Sequence, residues 1–181
     1  MRRAIRSAPA ERLAFALLLY SAQRVSDVVR MGRQHIKGGV LAVKQQKTGV
    51  ELAIPVHPHL QAVLDATPSA HLTFLTTENG KPYTGNYLTA SFREWCNAAG
   101  LPVRCKPHGL RKAACRRMAE RNVPDRAIMA ITGHATLKEL VRYSKGASQA
   151  RLARNAMEAM TANAPERAAS GSRYEQAITD R

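Results

Sequence analysis

The sequence is poor in acidic residues, in cysteine and in long apolar stretches, and each shortage argues against a class of protein. It has 13 Asp and Glu against 28 Lys and Arg, so its net charge is +15 at pH 7. Unless the excess is only a solvated basic surface, it indicates a polyanionic partner. The three cysteines form no C-x-x-C pair, which argues against a disulfide framework and a zinc site. No stretch reaches the length of a membrane span.

The distribution of the basic residues favours nucleic acid over membrane as the partner. They are spread over many segments, without a juxtamembrane cluster or a lipidation signal. The N-terminal segment starts like a signal peptide, with arginines before an apolar run. Leu13, Leu17 and Tyr20 nevertheless recur at helical spacing next to Glu11 and Arg12, which favours an amphipathic helix over residues 10–22. A reducing cytoplasm fits the cysteine pattern.

Apolar periodicity predicts an α+β domain that is mostly helical, with a small antiparallel sheet. Apolar residues alternate strictly from Val50 to Val56 after another β-rich run, so we expect a β-hairpin with "KTG" as its turn. Ser26 or Asp27 is expected to cap a short second helix. Further helices are predicted over residues 58–66 and 84–99, from near His108, from Pro124 to Gly133, up to about Tyr143, and over 148–160.

The segment "KPHGLRKAACRRMAERN" places a histidine three residues before an arginine at the start of a predicted helix. Chance alone produces such a pair, so it gains meaning only if residues of matching chemistry accompany it. Leu110 and Met118 belong to an apolar stripe that is predicted to be buried, and basic residues lie largely outside this stripe. The residues predicted to form a DNA-binding face are Lys112, Arg116 and Arg117.

Residues of matching chemistry do accompany the pair, in the segments "LLYSAQRVSDVVRM", "QQKTGVELAIPV", "HGLRKAA" and "ITGHATLKELVRYSK". In this order they resemble the catalytic domain of a tyrosine recombinase of the phage integrase family. That family has an early arginine with an acidic residue three positions later, a lysine in a hairpin turn, and His-x-x-Arg at the start of a helix. Gly-His then precedes the nucleophilic tyrosine by nine residues. The matching positions are Arg24, Asp27, Lys47, His108, Arg111, His134 and Tyr143.

The chain departs from the family pattern at two motif positions and in length. Ala22 stands where the family usually has glycine, and Thr132 stands where it usually has leucine before Gly-His. The family normally carries an N-terminal DNA-binding domain, for which the residues before Arg24 leave no room. The resemblance therefore implies a catalytic domain over residues 1–161 without that domain, followed by a flexible tail over residues 162–181.

The resemblance implies a role for each matching residue at a DNA phosphate. A phosphodiester repels an anionic nucleophile, so Arg24 and Arg111 would bind its non-bridging oxygens and stabilise the charge of the transition state. His108 would accept the phenolic proton or hold the phosphate, and His134 would donate a hydrogen bond to the same oxygens. Asp27 is expected to cap its helix and to orient Arg24 without reacting.

Tyr143 and Lys47 would carry the bond-breaking step. Tyr143 attacks phosphorus and forms a 3′-phosphotyrosine, while Lys47 protonates the departing 5′ oxygen. The energy of the broken bond is kept, so the resemblance implies neither metal nor other cofactor. The implied function is site-specific recombination of double-stranded DNA by a homotetramer, with helix 148–160 packed into a neighbouring subunit. The implied location is the cytoplasm, for a protein encoded by a bacterium or a phage. A type IB topoisomerase-like activity and a non-catalytic DNA-binding prophage remnant are the alternatives.

Overall fold

The computed structural model describes residues 9–67, 71–144 and 149–162, and at residues 9, 141–144, 149–152 and 162 it describes the backbone alone. The helices in these ranges are α1 (Pro9–Ser21), α2 (Val25–Val28), α3 (Pro58–Asp65), α4 (Gly85–Ala98), α5 (Pro107–Ala119), α6 (Asp125–Thr132), α7 (Leu137–Ser144) and α8 (Gln149–Ala162). Between α2 and α3 lie a 3₁₀ turn (Arg33–His35) and the strands β1 (Ile36–Lys37), β2 (Val40–Lys44) and β3 (Glu51–Pro55). The predicted α+β, mostly helical fold class is confirmed.

The chain divides into two compact units, residues 1–146 and residues 147–181. Helices α1 to α7 and the sheet belong to the first unit, and α8 belongs to the second. The predicted amphipathic side of α8 contains Met157 and Met160, which are 61% and 70% exposed. Apart from Ala162, the predicted tail lies outside the described residues. No helix in the described ranges is long and apolar enough to cross a membrane.

Helix α1 is the centre of the first unit and packs against α2, α3 and α5. Its side chains are apolar on most sides, and Leu17 and Leu18 are completely buried. Ala14 and Ala16 are also buried, and their small side chains let the neighbouring helices approach closely. A helix that is apolar on most sides is stable only when other elements surround it. The predicted helix over residues 10–22 is thus found, with more of its surface buried than an amphipathic pattern implies.

The sheet is antiparallel with the order β1-β2-β3. The predicted hairpin is confirmed as β2 and β3, whose register pairs Leu41 with Ile54 and Val43 with Leu52. The short β1 adds a third strand that the sequence pattern did not predict. Leu41 and Val43 point into the core, and Gln45 occupies the next inward position at 1% exposure. A buried amide therefore continues the apolar face of β2 towards the turn.

The predicted helix boundaries agree with α3, α4, α5 and α6 to within a residue or two. Thr84 caps α4, because its hydroxyl accepts from the backbone N–H of Tyr87. Gly133 ends α6 in the left-handed conformation, with φ 68°. The prediction that Ser26 or Asp27 caps α2 is wrong. The residue at the N-cap of α2 is Arg24, and the helix has no side-chain cap.

Candidate functional site

Arg111 lies buried in α5, with 2% of its surface exposed. One guanidinium nitrogen, Nη1, donates to the backbone carbonyl of Ala22 at 2.7 Å. The other, Nη2, donates to Nε2 of His134 at 3.1 Å. Ala22 follows α1 and His134 follows α6, so the guanidinium is fixed between two loops that are distant in sequence. This region of the first unit therefore contains a cation whose direction is set by long-range hydrogen bonds.

The contacts of His134 determine which of its ring nitrogens carries the proton. An arginine guanidinium only donates, so Nε2 of His134 is the acceptor and the proton of the neutral ring lies on Nδ1. Nδ1 lies 2.8 Å from Oγ1 of Thr132 and donates to it. The Thr132 hydroxyl in turn donates to the carbonyl of Ile128 at 2.8 Å. A chain of three hydrogen bonds thus runs from Arg111 into the last turn of α6.

Burial and neighbouring cations favour the neutral form of both histidines. Burial, together with Arg111, lowers the pKa of His134 from 6.5 to about 4, although Glu139 opposes the shift. Burial of part of its ring, followed by Lys112, Arg111 and Arg24, also lowers the pKa of His108. At neutral pH both rings are therefore uncharged. The positive charge of the site is carried by the arginines and Lys112.

Arg24 is held from a different direction, by the buried amide of Gln45. Nη1 of Arg24 donates to Oε1 of Gln45 at 3.0 Å. The Gln45 amide nitrogen donates to Oε1 of Gln23 at 2.7 Å and to the carbonyl of Thr132 at 2.8 Å. Gln23 is buried as well and donates to the carbonyl of Ile131 at 2.8 Å. The two glutamines therefore connect the Arg24 segment, the hairpin and the end of α6.

Asp27 does not have the position that the sequence predicted for it. Its Oδ1 accepts from the backbone N–H of Gln46 at 2.8 Å, so Asp27 fixes the hairpin turn and does not cap α2. Its other oxygen, Oδ2, is buried without a hydrogen-bond partner in the structure. Arg24 has Gln45 as its partner. The hydrogen bond that the structure gives the Arg24 guanidinium is thus to Gln45, and the expected role of Asp27 in orienting Arg24 stays a prediction.

Lys47 lies at the exposed turn between β2 and β3. Backbone hydrogen bonds close the turn on both sides, from the Gln45 N–H to the Val50 carbonyl at 2.9 Å and from the Gly49 N–H to the Gln45 carbonyl at 2.8 Å. Thr48 adds a bond from its hydroxyl to Oε1 of Gln45 at 2.7 Å. The backbone around Lys47 is thus anchored beside Arg24, while the lysine side chain extends from an exposed position.

Tyr143 belongs to α7, which packs against α5 and α6. The helix that contains Tyr143 thus packs against the helix that carries Arg111 and the helix that precedes His134. The side chain of Tyr143 lies outside the described part of the chain. Its predicted role as nucleophile stays a prediction.

The three residues predicted to bind DNA are exposed on α5, in different surroundings. Lys112 lies close enough to His108 to lower the pKa of that histidine. Arg116 donates to a carboxylate oxygen of Glu120 at 2.8 Å, so its charge is partly offset. Arg117 lines a separate groove of about 620 Å³ together with Tyr20 and His57. Lys112 is the member of this set that lies beside the candidate site.

Sequence reasoning missed Gln23, Gln45 and the hydroxyl of Thr132. One signal was present for Gln45, because it continues the inward positions of Leu41 and Val43 along β2. An amide at such a position must find buried partners. Among the described residues, no group of three or more His, Cys, Asp or Glu side chains is placed to hold a metal ion.

The chain is similar to known phage integrases over most of its length. The model of the phage integrase family matches residues 3–150. The integrase of Escherichia phage lambda is 30% identical over 135 residues, which are 68% of this chain and 38% of that integrase. The integrase of Escherichia phage HK022 is 28% identical over 146 residues, covering 73% of this chain and 40% of the relative. The chain thus spans about two fifths of the length of these curated relatives.

Solved structures share the fold. A lambda integrase (75–356) dimer bound to a COC′ core site has a TM-score of 0.67 at 27% identity, covering 78% of this chain and 54% of that one. The lambda integrase catalytic core has a TM-score of 0.62 at 27% identity, covering 72% of this chain and 83% of that one. XerA recombinase has a TM-score of 0.67 at 15% identity, which shows the fold alone. The chain belongs to the phage integrase family, and its first unit has the fold of the lambda integrase catalytic core.

Proposed function

We propose that this chain is the catalytic part of a site-specific DNA recombinase, which cleaves and rejoins DNA through a 3′-phosphotyrosine. One observation carries the proposal: Arg24, Arg111 and His134, from three distant segments, meet in one hydrogen-bonded cluster. Two guanidinium groups held in this way are suited to an anionic phosphate, whose charge increases as a nucleophile attacks. Family membership supports the same chemistry.

The two histidines suit different steps of the proposed reaction. His108 is neutral at pH 7, so it is able to accept the proton that Tyr143 must lose before its oxygen attacks phosphorus. His134 accepts from Arg111 in the free protein, and it must carry a proton on Nε2 to donate to the phosphate. The negative charge of bound DNA favours that proton. DNA binding and protonation of His134 are therefore expected to be coupled.

The covalent step balances without a metal or an external energy source. The Tyr143 oxygen forms a bond to phosphorus, the bond from phosphorus to the 5′ oxygen breaks, and Lys47 gives that oxygen its proton. The DNA is left with a 3′-phosphotyrosine and a free 5′ hydroxyl. Attack by a 5′ hydroxyl of a second strand reverses the step and restores the phosphodiester. Lys47 suits this work because its turn is anchored while its side chain is exposed.

The proposal extends to the partners of the chain. We place the catalytic domain at residues 1–161, with double-stranded DNA as substrate and a homotetramer on DNA as the active assembly. The solved relatives support this assembly, because they include lambda integrase as a dimer on a core site and as a tetramer bound to a Holliday junction. The bacterial or phage-infected cytoplasm is the proposed location, since DNA is accessible there.

Nicked DNA duplexes of randomised sequence test the function directly. The short fragment beyond the nick diffuses away after cleavage, so an adduct that resists detergent accumulates if the protein attacks DNA. We expect an adduct on Tyr143 that chelator does not suppress, and none for Tyr143→Phe, which still binds DNA. Adducts on Tyr87 or Tyr174, or a strict Mg²⁺ requirement for cleavage, would contradict the proposal. Joining of two duplexes, as opposed to relaxation of one supercoiled circle, separates recombination from topoisomerase activity.

A further inference from the structure

Gln45 occupies a position from which it contacts three parts of the candidate site. Its backbone closes the hairpin turn that carries Lys47, since its N–H donates to Val50 and its carbonyl accepts from Gly49. Its side chain is buried, with 1% exposure, and lies between the Arg24 segment and the end of α6. A buried amide at the junction of three segments is costly unless all its hydrogen bonds are made.

All four hydrogen-bonding positions of the Gln45 amide are used. Oε1 accepts from Nη1 of Arg24 at 3.0 Å and from the hydroxyl of Thr48 at 2.7 Å. Nε2 donates to Oε1 of Gln23 at 2.7 Å and to the carbonyl of Thr132 at 2.8 Å. A flipped amide would place its NH₂ against a guanidinium, which only donates, and its oxygen against a carbonyl, which only accepts. The orientation of the amide is therefore determined.

The fit around Gln45 is also tight. Gly133, between Thr132 and His134, approaches the amide so closely that a Cβ at residue 133 would lie 2.5 Å from Nε2 of Gln45. Its φ of 68° is in the left-handed region as well, where glycine is favoured. The Gly133 backbone thus brings the loop that carries His134 against the same side chain that holds Arg24.

We propose that Gln45 is a positioning residue for DNA cleavage, which fixes the Arg24 guanidinium, the Lys47 turn and the His134 loop relative to one another. This inference rests on the proposed function. Because Gln45 is buried, we assign it no contact with DNA or with the reacting atoms, and it acts through the groups that bind them. Its contribution is geometric, because a misplacement of about 1 Å at a reacting group costs on the order of a hundredfold in rate.

The test compares Gln45→Met with Gln46→Met, each in the full chain. Methionine keeps the length of the side chain and removes the amide. Gln46 is exposed, and the hydrogen bond from its backbone N–H to Oδ1 of Asp27 does not depend on its side chain. Gln46→Met is therefore the matched control. On a DNA that the parent cleaves, Gln45→Met is expected to lower the single-turnover rate constant at saturating DNA about a hundredfold, with an unchanged Kd. Gln46→Met is expected to cleave like the parent.

A double-mutant cycle separates positioning from a general loss of structure. On an Arg24→Ala background, the loss caused by Gln45→Met is expected to be about tenfold smaller, because part of it acts through Arg24. Equal losses on both backgrounds, or a Gln45→Met protein that cleaves like the parent, would overturn the proposal.

If Gln45→Met does not fold, Thr48→Val provides a second variant. It removes the hydroxyl on the exposed turn that donates to Oε1 of Gln45, and it is expected to lower the cleavage rate about fivefold. No loss in Thr48→Val would then overturn the proposal.

A measurement without DNA distinguishes failure of this inference from failure of the proposed function. The ¹⁵N signals of the Arg24 guanidinium report whether its rotation is restricted. We expect restricted rotation in the parent and in Gln46→Met, and averaged signals in Gln45→Met. Averaged signals in the parent would show that Gln45 does not hold Arg24. Restricted signals in a parent that forms no adduct with any DNA would refute the function and leave the contact intact.

Discussion

The candidate site has a buried half and an exposed half, and the two are built differently. Arg111 and His134 are buried at 2% and 7% exposure, and Arg24 is bonded to the buried Gln45. Lys47 and His108 lie at exposed positions, on a turn and in the first turn of a helix. The buried half thus presents fixed positive charge, whereas the exposed half contains the two groups that we propose to transfer protons.

The difference follows from what each kind of chemistry needs. Charge that stabilises a transition state is most effective when its direction is set before the substrate arrives. A proton donor or acceptor must instead approach the atom it serves, so freedom at an exposed position is useful. We therefore expect changes in the buried half to affect both stability and cleavage, and changes in the exposed half to affect cleavage far more than stability.

Arg111→Ala is expected to have the largest combined effect on cleavage and stability. It removes a buried cation and leaves the Ala22 carbonyl and Nε2 of His134 without their donor. We expect cleavage to fall about a thousandfold and the free energy of unfolding to fall by about 2 kcal/mol. Single-turnover cleavage and urea denaturation measure the two losses. Arg116→Ala, on the same helix but exposed, serves as the control for stability and is expected to change it by less than about 0.5 kcal/mol. If Arg111→Ala were as stable as the parent, the proposed difference between the buried and the exposed half would be refuted.

Thr132→Val is expected to have an intermediate effect. It keeps the shape of the side chain but removes the hydroxyl that accepts from Nδ1 of His134. The imidazole is then free to turn or to change tautomer, so its bond to Arg111 weakens. We expect a loss of about 1 kcal/mol in stability and about tenfold in cleavage rate. Thr132→Ser retains the hydroxyl and should resemble the parent. If Val and Ser behave alike, the hydroxyl does not orient His134.

A pH titration of stability is expected to give the smallest effect. His134 has a pKa of about 4 in the folded chain and 6.5 as its ordinary value, so the unfolded chain binds the extra proton between these limits. The stability that neutral His134 contributes is therefore complete above about pH 6.5 and is lost as the pH falls towards 4. His108 shifts in the same direction. Thermal unfolding from pH 7.5 to 4 should show a shallower slope for His134→Gln than for the parent.

Equal slopes for the parent and His134→Gln would show that His134 is not held neutral by its surroundings. The buried half would then lack the electrostatic character that separates it from the exposed half.

The sequence predicted the exposed half of the site better than the buried half. Lys47 lies at the turn that the alternation from Val50 to Val56 implied, and His108 lies in the first turn of a predicted helix. Both positions depend on local pattern, which a sequence displays directly. The partners of Arg24 and Arg111 depend on contacts between distant segments, so local pattern did not predict the hydrogen bond between Arg24 and Gln45.

The two departures from the family motifs show the same limit. Ala22 adopts φ 54°, a left-handed conformation in which glycine is favoured, so its backbone explains why glycine is usual there. That torsion is invisible in the sequence, because alanine normally avoids it. Thr132 stands where the family usually has leucine, and its hydroxyl lies 2.8 Å from Nδ1 of His134, a contact that leucine cannot make. The chemical role of a residue at a motif position can therefore be assigned only when its contacts in the structure are known.

The most direct test of the division between the two halves uses DNA in which sulfur replaces the bridging 5′ oxygen at the scissile phosphate. Lys47→Ala should cleave normal DNA about a hundredfold to ten-thousandfold more slowly, since it lacks the proposed general acid. A sulfur leaving group needs no proton, so Lys47→Ala should cleave the substituted DNA nearly as fast as the parent. Arg24→Ala should remain slow on both, because its loss affects the fixed charge. Rescue of both variants, or of neither, would contradict the account.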